Sequence, residues 1–168
     1  LDGRRVLEAR RSFPTRSPRR GWAEQDARSW RSASVGAPGD LIRRLEADGL
    51  GRAGDVRAIG LTGQCPSVVL VDRDGRPVTP GLIYRDNRAS AEAAAMRGRF
   101  GDEAIHERTG HLPSGFHIAP KLLWLRDHEP AAFARATLAL QPRDLVALTP
   151  ATSDPLGRSA LALKLHLI

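Results

Sequence analysis

The strongest constraint on how this chain can fold is a pair of compact apolar runs, Val56-Arg57-Ala58-Ile59-Gly60-Leu61 and Ser67-Val68-Val69-Leu70-Val71-Asp72, separated by Thr62-Gly63-Gln64-Cys65-Pro66. Both are bounded by turn residues, so they are predicted as adjacent strands of a sheet covered on at least one face. Asp74-Gly75 supplies a tight turn from the second run into Arg76-Pro77-Val78. Further along, Leu82-Ile83-Tyr84 reads as a short strand and Asp86 to Arg99 as an Ala-rich helix. His117 to His128 is an amphipathic helix with Pro120 in its first turn. Ala131 to Ala136 gives another short helix, Thr137 to Leu140 a strand, and Arg143 to Leu148 a final turn or helix. Strands that alternate with helices in this way define an α/β class.

The flanks are less regular. Arg4 to Arg10, around Val6 and Leu7, predicts a short strand, and Phe13 to Pro18 a Pro- and Arg-rich loop. Asp26 is placed to cap a short helix through Trp30, which Gly36-Ala37-Pro38-Gly39 is expected to break. Asp40 then caps a second helix, Leu41 to Asp48, ended by Gly49. At the other end, Ser159 to Ile168 reads as an apolar strand whose partner lies elsewhere.

A length of 168 residues, 41% of them hydrophobic, suits one domain with its own core. No apolar run approaches the roughly 20 residues of a spanning helix, which argues against a membrane protein. Leu1-Asp2-Gly3-Arg4-Arg5 carries no apolar signal core and the chain does not begin with Met, so it is expected to be part of something longer. The net charge of +7 comes almost wholly from arginine, since Lys121 and Lys164 are the only lysines. Acidic residues are interspersed, as in Arg43-Arg44-Leu45-Glu46-Ala47-Asp48, which describes a solvated surface better than a nucleic-acid stripe. Cys65 is the only cysteine, so no intramolecular disulfide forms, consistent with a reducing cytoplasm.

Taken alone, the residues leave the chemistry open. There is no phosphate-cradling loop and no Gly-rich dinucleotide turn. The 5 histidines lack metal-ligand spacing, and Asp72-Arg73-Asp74-Gly75 is too short for a calcium loop. Cys65 is either an inert thiol or a nucleophile in need of a base. Asp86 either caps the helix that follows it or accepts hydroxyls of a substrate.

Several phrases in order carry a resemblance. Pro18 to Asp26 resembles the segment "PGWAEQDP" of FGGY carbohydrate kinases, and Ala58 to Gln64 resembles their "AIGLTGQMHG", with Leu70 to Pro77 matching the hairpin that follows. Ile83-Tyr84-Arg85-Asp86-Asn87-Arg88 is similar to "LWNDRR", Arg108-Thr109-Gly110 to "LTG", and Ala119 to Leu125 to "APKLLWL". The chain is identified as a member of this family, nearest its xylulokinase branch, over residues 1–148, with 149–168 a poorly matched tail. The resemblance implies an actin-like ATPase, ribonuclease H-like fold, here incomplete. Its first phosphate-binding hairpin would precede Leu1, and the domain with the catalytic aspartate and adenosine site would follow. It implies transfer of the γ-phosphoryl group of ATP, with Mg2+, to a sugar or polyol, a xylulose-like pentulose first. Neither cofactor is expected to bind well to this part alone. It further implies that Gln64, Cys65 and Pro66 form the turn at the sugar and that Tyr84 and Phe116 are aromatic walls, their alternative being core. Asp86 accepts sugar hydroxyls and Arg88 in the substrate site holds its geometry, the alternative being an Arg88 that only pairs with a neighbouring acid. Cys65-Pro66 replaces the Met-His of the xylulokinase pattern, so a histidine that could bond the sugar is absent. The expected partners are the sugar, the rest of the kinase chain and a second copy in a homodimer. The alternative is a degenerate sugar-binding or interaction module without kinase activity.

Overall fold

A computed structural model describes residues 5–148 and the backbone of residues 163–164. The elements run β1 (Glu24–Gln25), α1 (Ala27–Ala47), β2 (Val69–Val71), β3 (Gly81–Leu82), α2 (Ser90–Phe100), α3 (Asp102–Thr109), α4 (Ile118–His128), α5 (Pro130–Arg135), β4 (Leu138–Leu140), α6 (Pro142–Ala147) and β5 (Leu163–Lys164). One sheet has the order β2-β4-β5, with both pairs antiparallel, and β1 pairs antiparallel with β3. A single bridge, Val68–Leu82, links the two sheets.

The period of 2 along the second apolar run divides the core. Val69 and Val71 point to one side, where they meet Ala23, Ala27, Trp30, Ile83, Leu140 and Leu145. Val68 and Leu70 point to the other, against Leu82, Ala89, Trp124, Leu125 and Ala139. Each fully buried Val or Leu stabilises the fold by about 1.5–3 kcal/mol, so this strand, buried on both faces, is its centre. The Asp72–Gly75 turn is closed by Asp72, whose Oδ1 accepts from the backbone N–H of Asp74 (2.9 Å) and of Arg76 (2.8 Å). Gly75 takes the left-handed conformation there, φ 72°.

Four expectations are corrected. The helix that begins at Asp26, whose side chain accepts from Arg28 N–H, runs unbroken through Gly36-Ala37-Pro38-Gly39. Contacts from the N-terminal segment brace this stretch. Arg11 forks onto Asp40 at 2.7 and 2.9 Å, and its guanidinium lies where a Cβ on Gly36 would stand 2.6 Å away. Asp40 is therefore an ion-pair partner inside one long helix and caps nothing. Arg5 to Arg10 forms no strand; Glu8 is held there by Arg5, Arg10 and, through its carbonyl, Arg44. Val56 to Leu61 also forms no strand: Ile59 is 77% exposed, and no described residue pairs with it. The pattern suits a strand, but a strand needs a neighbour to bond its edges. Beyond these four, α3 is a helix the sequence does not predict: only Ile105 and Ala104 are apolar in it, so it carries no amphipathic period. Of the apolar tail from Ser159 to Ile168, only Leu163–Lys164 lie within the described residues, paired with β4.

Candidate functional site

The β1–β3 pair and the loops leaving it bring together most of the residues singled out by resemblance. Past Leu82 the chain turns sharply, and Asp86 N–H bonds back to Ile83 C=O at 2.9 Å. The Asp86 side chain enters the interior and is 0% exposed. Its Oδ2 accepts from Ala23 N–H at 2.6 Å, and its Oδ1 accepts from Arg88 N–H at 3.1 Å. The Arg88 guanidinium closes on the same carboxylate, Nε at 2.9 and 3.0 Å and one terminal nitrogen at 2.8 Å, and also reaches Glu24 at 2.9 Å. Trp22 covers it, ring centroid 3.7 Å from the guanidinium carbon, and Trp124 stands edge-on to Trp22. Arg88 thus pairs with its neighbouring acid, and Asp86 does not cap the next helix, whose N-cap is Ala89. The carboxylate is engaged by protein donors on both oxygens and lies away from solvent.

Tyr84 and Phe116 are not core. They are 49% and 37% exposed, each directly after a buried residue, Ile83 and Gly115. Phe116 lies against His117, centroids 4.2 Å apart, on a loop seated on the start of α2. Gly115 allows this seat, since a Cβ there would meet Asn87 O at 2.7 Å and Ser90 N at 2.9 Å. His117 Nδ1 accepts from Ser114 N–H at 3.0 Å, which requires that nitrogen unprotonated. Burial, with His111 and Lys121 nearby, keeps His117 below the usual histidine range and so favours that state.

The Gln64-Cys65-Pro66 turn adjoins the same edge, because the antiparallel Val68–Leu82 bridge runs toward Pro66 on one side and Tyr84 on the other. Gln64 donates to Gln25 Oε1 at 2.9 Å, an oxygen that also accepts from Trp30 Nε1 at 2.7 Å. Cys65 is exposed and precedes a cis peptide bond to Pro66.

One residue of the site was not singled out from the sequence. Lys121 of α4 is 0% exposed and donates from Nζ to Ile83 C=O at 2.7 Å and Pro66 C=O at 3.5 Å. Its signal was positional: Lys121, Trp124 and Leu125 share the i, i+3, i+4 face that packs inward. Burial lowers its pKa from the usual 10.5 to about 8, with Asp86 opposing and Arg88 assisting. A depressed lysine penalises the fold while both states are protonated, and the penalty is relieved as pH rises from about 8 to 10.5. Stability is therefore expected to rise across that window by on the order of 3 kcal/mol relative to Lys121→Met, measured by urea unfolding at stepped pH.

Among the described residues no group of three or more His, Cys, Asp or Glu is placed to hold a metal ion. No described helix is long and apolar enough to cross a membrane.

The profile of the FGGY family of carbohydrate kinases, N-terminal domain, matches residues 2–149. The chain belongs to this family. Among relatives of this FGGY chain, a glycerol kinase of Acidovorax ebreus is 38% identical over 132 residues, covering 77% of the chain and 26% of the relative. A xylulose kinase of Bacillus subtilis is 26% identical over 145 residues, covering 86% and 28%. The solved xylulose kinase of Rhodospirillum rubrum superposes with a TM-score of 0.73 at 30% identity, over 82% of this chain and 28% of that one. The actin-like fold is thereby established, and both kinase types occur among the relatives. The chain spans about a quarter of the length of the curated relatives it matches.

Proposed function

We propose that this FGGY chain forms the acceptor-binding side of an ATP-dependent carbohydrate kinase, with a pentulose or short polyol held between Tyr84, Phe116 and the Gln64-Cys65-Pro66 turn. The observation that carries this is the exposure of Tyr84 and Phe116 beside a fully buried ion pair. Tyr84 comes just before Asp86 and the Phe116 loop is seated on Asn87 and Ser90 just after it, so two open aromatic faces flank this turn and suit the apolar carbon face of a polyhydroxylated ligand. Asp86 and Arg88 then serve by holding the turn that presents Tyr84. The names of the relatives supply the acceptor candidates, xylulose and glycerol. ATP as phosphoryl donor and Mg2+ belong to the same proposal. A homodimer is part of the same proposal, as is a location in the cytoplasm.

Cys65 makes the test simple, because it is the only thiol and is exposed at the proposed site. Saturating xylulose, xylitol or glycerol, tried separately, is expected to slow alkylation of Cys65 by iodoacetamide, followed by mass spectrometry. Tyr84→Ala is expected to weaken the protecting ligand about tenfold, the effect of losing roughly 1–2 kcal/mol of apolar contact. A folded chain whose Cys65 reacts at one rate with and without every acceptor would sink the proposal.

A further inference from the structure

A fully buried lysine is costly: an ammonium leaves water only where it is paired or well hydrogen-bonded, and an apolar side chain in its place usually packs at no loss. Lys121 sits between Pro120 and Trp124 on the inward face of α4, where a leucine or methionine would satisfy packing alone. What an apolar residue could not supply is its donors. They reach carbonyls on two separate segments, Ile83 and Pro66. Beyond the Val68–Leu82 bridge, among the described residues, no backbone hydrogen bond joins these segments. The ammonium takes over where the ladder stops. The charged groups that act on it are Asp86, which favours its charge, and Arg88, which opposes it.

We propose that Lys121 is a positioning residue: it ties the Cys65-Pro66 turn to the Ile83-Tyr84 segment and so sets the width of the gap in which the acceptor lies. This rests on the reading of that edge as the acceptor site. Cys65 immediately precedes one tethered residue and Tyr84 immediately follows the other, so a change in the tether moves both contact groups at once. It also explains why a positively charged side chain lies beneath a site for a neutral ligand: the charge is spent on backbone, not on substrate.

The test compares the wild-type chain with Lys121→Met, which keeps length and loses the donors. Backbone amide exchange, read by mass spectrometry without any ligand, is expected to accelerate at least tenfold in residues 62–67 and 83–86. The amides of α2 and β4 are expected to be unchanged, and affinity for the protecting acceptor to fall about tenfold. Unchanged exchange in the two segments, or an equal acceleration throughout, would overturn the tether. Selective loosening in a chain whose wild type binds no acceptor would support the tether and refute the acceptor site instead. If Lys121→Met does not fold, the wild type still decides. Isotope labelling of lysine gives signals from only Lys121 and Lys164. The Lys121 ammonium is expected to titrate near 8 and to shift when the acceptor is added. Lys121 ammonium protons that exchange with solvent as fast as those of an exposed lysine would mean the amine is in water, and the tether does not exist.

Discussion

Arg88→Met is expected to destabilise the chain by about 3–5 kcal/mol, measured as the loss of unfolding free energy in urea. The size follows from what is left behind. Asp86 is 0% exposed, and its only paired guanidinium would be gone, leaving Ala23 N–H, Arg88 N–H and the more distant Lys121 to hold a buried charge. Glu24, partly open to solvent, also loses its partner but can turn to water. Trp22 would lose the cation beneath its ring, a smaller contribution of about 1 kcal/mol. Removing both charges together, as Asp86→Leu with Arg88→Met, is expected to cost less than Arg88→Met alone. No carboxylate is then stranded: the Ala23 and Arg88 N–H groups lose their acceptor, and Lys121 loses the acid that favours its charge but can release its proton. If Arg88→Met costs under about 1 kcal/mol, the carboxylate is reached by water. Asp86 would then be free to accept acceptor hydroxyls directly, as the resemblance first implied.

How much of this was legible in the sequence depends on whether the signal was local. The central strand, the Asp72–Gly75 hairpin and α4 were readable because an alternating or helical apolar pattern decides them within a few residues. The unbroken α1 was not, because the contact that braces it at Gly36 and Asp40, on either side of Pro38, comes from Arg11, outside the helix. Val56 to Leu61 shows the converse: a strand pattern whose pairing partner is not among the described residues. At the site, residue type alone could not rank Asp86 above Tyr84, since each had a structural and a binding reading. The resemblance brought both in, and the geometry then separated their work: the acid faces inward to Arg88, the phenol outward. Lys121 was present in the matching phrase but passed over, because a lysine in an apolar helix face reads as surface until its burial is seen.

Trp30 and Gly81 offer a prediction in which one substitution reverses its effect with the background. Trp30 is buried at the centre of one half of the core, its indole N–H bonded to Gln25, so it is fixed in place. Trp30→Ala is expected to cost about 3–5 kcal/mol, the range for removing a buried aromatic. Gly81, in β3, lies flat beneath that ring: a Cβ would stand 2.1 Å from Cη2 and 2.3 Å from Cζ2. Its backbone is outside the positive-φ region, so alanine there meets no conformational strain and any penalty is steric. In the wild type Gly81→Ala must push aside a hydrogen-bonded ring or displace β3, at about 1–3 kcal/mol. In the Trp30→Ala background the ring is gone. The new methyl then occupies part of the cavity and restricts the unfolded chain, and Gly81→Ala is expected to stabilise by about 0.5–1 kcal/mol. The measurement is a double-mutant cycle by urea unfolding, with Cys65 alkylation as a second readout, because β3 leads directly to Ile83 and Tyr84. A displaced strand would alter Cys65 protection by the acceptor in Gly81→Ala alone and not in the double variant. Equal costs for Gly81→Ala in both backgrounds would mean that the indole does not seat on this glycine, and that β3 is held in register by its pairing with β1 rather than by Trp30.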